Sequence, residues 1–182
     1  MAILFQITGL VLFLYLQVRA DIPAQKDFKA DKFSGQWYSV GAGSNCTEFL
    51  KMKDSMTRPI ILFENEPDKS LKCSIAYMTP KGCQGITFNY KFVSEGHYTY
   101  TDPRGNTAVT FVGTDYTSFA LEFAVTITKK GQKIIMVKLY GRKKSLPKDV
   151  QDHFEKFVFG FGLNKDHLVY FPDAEECVPG TF

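Results

Sequence analysis

The sequence predicts an all-β protein: an eight-stranded antiparallel up-and-down β-barrel with one C-terminal α-helix packed against its outside. Two observations support this fold class. Over most of the chain, short runs rich in aromatic and β-branched residues alternate with turn residues, which is the pattern of antiparallel strands. The periodicity becomes helical only once, near the C terminus. Because the turns between runs are short, the strands form a meander, and this order favours a closed barrel over a sandwich.

The strand boundaries follow from turn residues that interrupt the apolar runs. Glu66-Pro67-Asp68 and residues 79–82, 94–96, 102–105 and 130–132 are rich in Gly, Pro and polar residues, which reverse a chain over a short distance. An eight-stranded barrel is wide enough to hold a small molecule inside. The predicted strands span residues 36–44, 57–64, 71–79, 84–93, 97–101, 106–114, 118–128 and 133–142.

One helix is predicted after the eighth strand. Ser145 is a suitable N-cap, Pro147 suits the first turn, and Gly160 with Gly162 ends the helix. Its apolar residues form a single stripe, which must pack on the outside of the barrel: Val150, Phe154, Phe157 and Phe161. A last short strand is predicted over residues 167–171.

The seventh strand has two interpretations. Every second residue in it is apolar: Phe119, Leu121, Phe123, Val125 and Ile127. Taken alone, this face would line the barrel interior. With a helix docked outside, it can equally be the outer face that the helix covers.

Residues 1–20 are predicted to be a signal peptide. Residues 3–18 are mostly apolar, and the small residues Val18 and Ala20 flank Arg19 in the manner of a cleavage site before the polar stretch that follows. An uncleaved membrane anchor is the alternative, although the apolar run is short for a span. The expected product is one secreted domain of residues 21–182.

The charged residues indicate no nucleic-acid or metal site. The net charge is +3, and the basic runs at residues 129–130 and 142–144 fall at predicted strand ends, where a solvated turn explains them. The three histidines, His97, His153 and His167, are far apart, and no Cys/His spacing typical of a metal site occurs. We therefore expect no nucleic-acid partner, no metal and no cofactor.

Three short motifs resemble the signatures of the lipocalin family. They are Gly35-Gln36-Trp37-Tyr38 at the first strand, Thr114-Asp115-Tyr116 between the sixth and seventh strands, and Leu139-Tyr140-Gly141-Arg142 before the helix. The resemblance covers residues 27–178. It implies a calyx whose structural signature residues are Gly35, Trp37, Thr114, Asp115, Tyr116 and Arg142. Arg142 can lie across the indole of Trp37, the only tryptophan, and close one end of the barrel.

The four cysteines allow three pairings, and sequence alone leaves them open. The family resemblance implies a disulfide between Cys83 on the fourth strand and Cys177 in the tail. Cys46 and Cys73 are then either free thiols or a second bridge. Asn45 begins an Asn-Cys-Thr sequence, so it is a candidate glycosylation site.

Within the family, the chain resembles the branch that contains prostaglandin D synthase, a neutrophil siderophore binder and glandular odorant carriers. The cationic positions of the siderophore binder align with Phe88, Thr126 and Met136, none of which is charged. The synthase's reactive cysteine aligns with about Thr57. Cys73 shares strand parity with inward residues, so a lipocalin-type prostaglandin isomerase remains the alternative function.

The resemblance implies a mostly apolar cavity and a carrier without enzymatic activity. Glu122 and Lys138 have inward parity on adjacent strands. Lys138 could receive a carboxylate or phosphate head group, the two could form an ion pair, or both could lie outside. The expected cavity residues are Ile75, Tyr77, Ile86, Phe88, Tyr90, Val109, Phe111, Ala124, Met136, Lys138 and Tyr140.

The expected partner is a small hydrophobic molecule such as an odorant or a fatty acid, in mucus or another glandular fluid. A cell-surface receptor is a further candidate partner, and stable membrane association is not expected. A covalent partner bound through Cys46 is a third interpretation, in which the cup would be incidental.

Overall fold

The computed structural model describes residues 22–173 and 175–179; the predicted signal peptide lies outside the described residues. The elements that follow confirm the predicted order of strands and helix. The strands are β1 (Gly35–Ser44), β2 (Ile60–Asn65), β3 (Leu71–Thr79), β4 (Gly82–Ser94), β5 (His97–Asp102), β6 (Gly105–Thr114), β7 (Phe119–Thr128), β8 (Lys133–Gly141) and β9 (Leu168–Tyr170), and the helices are α1 (Ala30–Phe33), α2 (Thr47–Met52) and α3 (Lys148–Phe159). In the described part of the chain, no helix has the length and apolar character needed to cross a membrane.

The barrel closes through β1, which pairs with both ends of the meander. Strands β2 to β8 pair in sequence order, and β1 then joins β8 to β2, all antiparallel. A bulge between Ser39 and Gly41 interrupts the β1–β8 register. Beyond it, β9 pairs with Gly41–Gly43 and adds a ninth strand outside the closed barrel. The fold is therefore the predicted eight-stranded barrel.

Helix α3 packs on the outer wall, which settles how β7 is oriented. Phe154 and Val158 of the helix are fully buried and belong to one apolar cluster with Leu121 and Phe123 of β7. Glycines in β1 let the helix approach this closely, because a Cβ at Gly43 would lie 2.8 Å from a methyl carbon of Val158. The apolar face of β7 is thus the outer face under the helix, and its other face lines the interior.

Two local predictions were wrong. The helix begins at Lys148 after Pro147, and Ser145 is exposed rather than capping it; burial of Leu146 beneath the helix decides where the chain turns. The second strand begins at Ile60 and not at Thr57, because the chain after β1 first forms α2 and a 3₁₀ turn (Lys53–Ser55). Thr57 therefore lies in the loop.

The guanidinium of Arg142 closes one end of the barrel. It lies 3.7 Å from the ring centroid of Trp37, which is fully buried. It also donates to five backbone carbonyls, at 2.7–3.2 Å: Lys32, Phe33, Ser34, Gln36 and Tyr116. Gly35 has a φ of +102°, and a Cβ there would lie 3.3 Å from the guanidinium, which explains the glycine of the first signature.

The second signature forms the turn that Arg142 contacts. One carboxylate oxygen of Asp115 accepts hydrogen bonds from the backbone N–H groups of Thr117, Ser118 and Phe119. The Thr114 hydroxyl donates to the carbonyl of Phe119, and Tyr116 adopts a φ of +66°. The carbonyl of Tyr116 consequently faces the guanidinium.

We expect Arg142→Lys to lower the free energy of unfolding by about 2–4 kcal/mol. A lysine ammonium can neither stack flat on the indole nor reach several carbonyls at once, so both the cation–π contact and charged hydrogen bonds are lost. Urea titration measures the effect. Lys143→Ala, at an exposed neighbouring position, should change stability by less than about 0.5 kcal/mol. Equal effects of the two variants would contradict this role.

Candidate functional site: the barrel lumen

The barrel interior, here called the lumen, is closed at one end by aromatic side chains. Phe33 and Trp37 are fully buried there, and Phe111 packs between them and Phe28, with ring centroids 4.4 Å from Phe33 and 5.1 Å from Phe28. The loops that join β1 to β2, β3 to β4, β5 to β6 and β7 to β8 lie at the other end, which we call the mouth. The lumen is therefore a cup with one entrance.

The predicted cavity residues become more exposed to solvent from the closed end of the barrel to the mouth. All have inward parity in the strand registers. Phe111 belongs to the closed end. Ile86 is 45% exposed and, with Tyr77, stands outside the buried cluster at the mouth. Between these levels, Tyr90, Val109, Ala124 and Tyr140 are buried, and Ile75, Phe88, Met136 and Lys138 are partly buried.

Several lining residues were missed from the sequence. Ile61 and Phe63 of β2 and Tyr98 of β5 belong to the same buried cluster as Cys73 of β3, whose inward parity the sequence already indicated. Tyr100, two residues further along β5, stacks parallel to Tyr90 with ring centroids 5.1 Å apart. The alternation of β5, with tyrosine at every second position, could have identified the last two.

A charged pair lies inside the lumen. The Lys138 ammonium donates to Glu122 Oε1 at 2.8 Å, and the Tyr140 hydroxyl donates to Glu122 Oε2, also at 2.8 Å. The Glu122 side chain is fully buried, whereas the Lys138 side chain is 21% exposed. Of the three sequence interpretations, the ion pair is present, and the placement of both residues outside the barrel was wrong.

The Glu122 carboxylate keeps the Lys138 amine protonated. Burial lowers the pKa of Lys138, but the Glu122 carboxylate more than offsets this, and the net pKa lies above its ordinary value. Burial, together with the same carboxylate, raises the pKa of Tyr140 well above its ordinary value. One positive and one negative charge therefore face each other, with a neutral phenol beside them.

The cysteines occupy three environments. Cys83 and Cys177 form the disulfide that the resemblance implied, with Cα atoms 5.5 Å apart across 94 residues. Cys73 is a free thiol, fully buried in the lumen, and burial raises its pKa to about 12. Cys46 is also free and buried, beside the mouth, where its thiol donates to the carboxylate of Glu48 at 3.2 Å.

The loop between β1 and β2 covers part of the mouth. Phe49 of α2 is buried against Ala42, Cys46 and Phe171, and Met136 of the lumen packs against the same cluster. Asn45 ties the start of this loop to β8: its Oδ1 accepts from the N–H of Ile135 at 2.7 Å. The Asn45 side chain is nonetheless exposed.

A cleft of about 290 Å³ lies on the outside of the closed end, where the Lys69 ammonium sits 5.4 Å from the ring of Phe92. Both charge signs line its rim, and it does not reach the lumen pair. Within residues 22–173 and 175–179, no group of three His, Cys, Asp or Glu side chains could hold a metal ion.

Comparisons with known proteins agree with this architecture. Residues 34–175 match the lipocalin / cytosolic fatty-acid binding protein family. The chain is 35% identical to the olfactory protein of Lithobates pipiens, over 97% of this chain and 99% of the relative. It is 32% identical to lipocalin-15 of Homo sapiens, over 88% of this chain and 87% of the relative. It is 30% identical to prostaglandin-H2 D-isomerase of Sus scrofa, over 90% and 88%.

Among solved structures, the fold is similar to that of the siderocalin Ex-FABP. The TM-score is 0.72, with 83% of this chain and 97% of that chain covered, at 24% sequence identity. At this identity the likeness concerns the fold alone.

We expect Cys73 to be unreactive in the native protein. In a Cys46→Ala variant, in which Cys73 is the remaining free thiol, Ellman's reagent at about pH 8 should react slowly until denaturant is added, because the thiolate is rare. Since the folded pKa is raised from its ordinary 9.0 to about 12, the associated stability is present below pH 9.0 and is lost as pH rises toward 12. Rapid labelling of the folded variant would refute this placement.

Proposed function

This chain belongs to the lipocalin family, and on that premise we propose that it is a secreted carrier that binds small hydrophobic molecules, such as odorants or lipid-like compounds, in its lumen. The observation that carries the proposal is the one-ended cup, closed by Arg142 and Trp37 and lined mainly by apolar and aromatic side chains. Such surfaces bind small molecules chiefly by removing apolar area from water.

The lining suits ligands of varied shape. Val109 and Ala124 lie opposite each other on β6 and β7, and Ala124 faces Met136 on β8. Methionine is flexible and polarizable, so it adapts to different partners. The aromatic wall of Phe88, Tyr90 and Tyr100 offers flat surfaces on the other side. We therefore expect broad binding in the micromolar range rather than recognition of a single compound.

The odorant part of the proposal rests on the relative from Lithobates pipiens, which is named an olfactory protein. Fatty-acid-like molecules are the other proposed class. We further propose that the ligand is carried in mucus or another glandular fluid, and that a cell-surface receptor is the candidate protein partner.

Secretion is proposed from residues 1–20 and agrees with a disulfide, which forms in oxidising compartments. The exposed Asn45 is proposed to carry a glycan. The intact mass of protein collected from the medium of expressing animal cells, with and without glycosidase, tests both points. A mass that retains residues 1–20, or one that glycosidase leaves unchanged, would contradict the corresponding proposal.

The isomerase alternative is supported by Cys73, a free thiol inside the lumen, and by a relative named prostaglandin-H2 D-isomerase. Catalysis by this group requires a thiolate, and burial holds the proton on Cys73. We therefore propose a carrier without this activity. A prostaglandin endoperoxide incubated with the protein and a thiol should be consumed no faster than without protein. Turnover that Cys73→Ala abolishes would establish the isomerase instead.

We expect Ala124→Phe to weaken the binding of an apolar fluorophore such as N-phenyl-1-naphthylamine by at least about tenfold, since a lost contact worth about 1.4 kcal/mol has that effect. Ala124 is buried and faces the lumen between Val109 and Met136, so a phenyl ring there occupies ligand space. Fluorescence titration measures the change.

The matched control is Ala108→Phe. Ala108 lies opposite Val125 on the outer face of the neighbouring strand and is exposed, so the same substitution should leave binding unchanged. Thermal melts show that both variants are folded. If Ala124→Phe bound the fluorophore as tightly as Ala108→Phe, the lumen would not be the binding site.

A further inference from the structure

A charged cluster lies at mid-depth in the lumen, formed by Glu122, Lys138 and Tyr140, and is here called the polar station. We infer that this station selects amphiphiles whose polar group is uncharged, a hydroxyl or a carbonyl, over fatty acids and alkylamines of the same chain length. The inference rests on the proposed carrier function and names the class of ligand for that same site.

Each carboxylate oxygen of Glu122 already accepts a hydrogen bond from within the lumen. One of its carboxylate oxygens accepts from Lys138 and the other from Tyr140, both at 2.8 Å, and the side chain is fully buried. Lys138 is the partly exposed member of the pair. A ligand in the lumen therefore meets the ammonium and not the carboxylate.

The ammonium of Lys138 has hydrogen-bond donors that remain available to a ligand. An ammonium carries three N–H groups, and among the described residues Lys138 uses one of them, toward Glu122. The Tyr100 ring stacks on Tyr90 in the lumen wall, and no described residue forms a hydrogen bond with its hydroxyl. Lys138 can donate to a ligand carbonyl or hydroxyl, and the Tyr100 hydroxyl is a further donor and acceptor on the lumen wall.

The negative charge of Glu122 balances the positive charge of Lys138, and this balance disfavours charged ligands of either sign. A ligand carboxylate would be a second anion sharing the one cation that Glu122 already neutralises, in a lumen poor in water. An alkylamine would meet the ammonium of Lys138, while the Glu122 carboxylate is fully buried and already holds a donor on each oxygen. An uncharged polar group avoids both penalties and still gains a charge-assisted hydrogen bond.

The pairing of Lys138 with Glu122 also determines how aldehydes and ketones can bind. An imine with Lys138 requires its neutral amine, and the carboxylate of Glu122 keeps the amine protonated by raising its pKa above the ordinary value despite burial. Carbonyl ligands are thus held by hydrogen bonds and leave unmodified.

The test is displacement of N-phenyl-1-naphthylamine by four ligands of equal chain length, near neutral pH: decanol, 2-decanone, decanoic acid and decylamine. We expect the alcohol and the ketone to bind at least about tenfold more tightly than the acid and the amine, the ratio that corresponds to about 1.4 kcal/mol. Equal or tighter binding of decanoate would overturn the inference.

Glu122→Gln tests the cause of the selectivity. The amide keeps the shape and can still accept from Tyr140, but it leaves Lys138 as an unpaired cation. The affinity for decanoate relative to decanol should then rise at least about tenfold. The matched control is Glu64→Gln, which removes a similar cross-strand pair with Lys72 on the surface, where both side chains are more than 40% exposed; its ratio should stay at the wild-type value.

A double variant keeps the test decisive if Glu122→Gln does not fold. Glu122→Gln with Lys138→Met removes both charges, so no unpaired buried charge remains. A thermal melt shows whether it is folded, and its affinity for decanol relative to the fluorophore should fall several-fold, because the Lys138 donors are gone. Decanol binding equal to wild type, or an unchanged ratio in folded Glu122→Gln, would overturn the inference.

The outcomes also separate this inference from the carrier function. If none of the four ligands and no fluorophore bind, the carrier function itself fails. If all four displace the fluorophore equally well, the carrier function stands and the selectivity of the polar station is refuted.

Discussion

The rest of the structure depends on the contact between Arg142 and Trp37. One guanidinium stacks on the indole and holds the carbonyls of α1, the start of β1 and the β6–β7 turn. The first two of these segments are adjacent, but the β6–β7 turn and Arg142 lie far from them in sequence, so a single side chain ties together the beginning, the middle and the end of the barrel. Because the contact closes one end, the interior is a cup with one entrance and not an open channel.

The closed end and the alternation of the strands together determine the chemistry of the lumen. Water is excluded from the closed end by stacked aromatic rings, so a charge at mid-depth is tolerated only with its partner. Glu122 and Lys138 satisfy that condition, with Tyr140 completing the set. The same exclusion keeps Cys73 protonated. A lumen that is mainly apolar, with its charges paired and its thiol protonated, agrees with the proposed carrier function.

Much of the fold was predictable because its signals are local. Strand β3 has the bounds expected from its turns, and the helix ends at Gly160 as expected. The start of the helix was not predictable in this way. Ser145 is a good N-cap by residue type, yet burial of Leu146 placed the first turn at Lys148. Likewise, α2 and the loop around Thr57 form because Phe49 finds a buried partner across the mouth, a contact with no local signature.

The sequence indicated the barrel, its outer helix and the alternation within each strand, but it left open which face of β7 lines the interior and whether Glu122 and Lys138 lie inside or outside. Packing of α3 against Leu121 and Phe123 decided both questions, because side chains alternate with a period of two. Depth was decided only by the tertiary structure. Strand stagger brings residues that are distant in sequence to one level, which put Phe111 into the closed end, left Ile86 45% exposed at the mouth and stacked Tyr100 on Tyr90. Parity is a property of one strand, whereas depth belongs to the closed sheet.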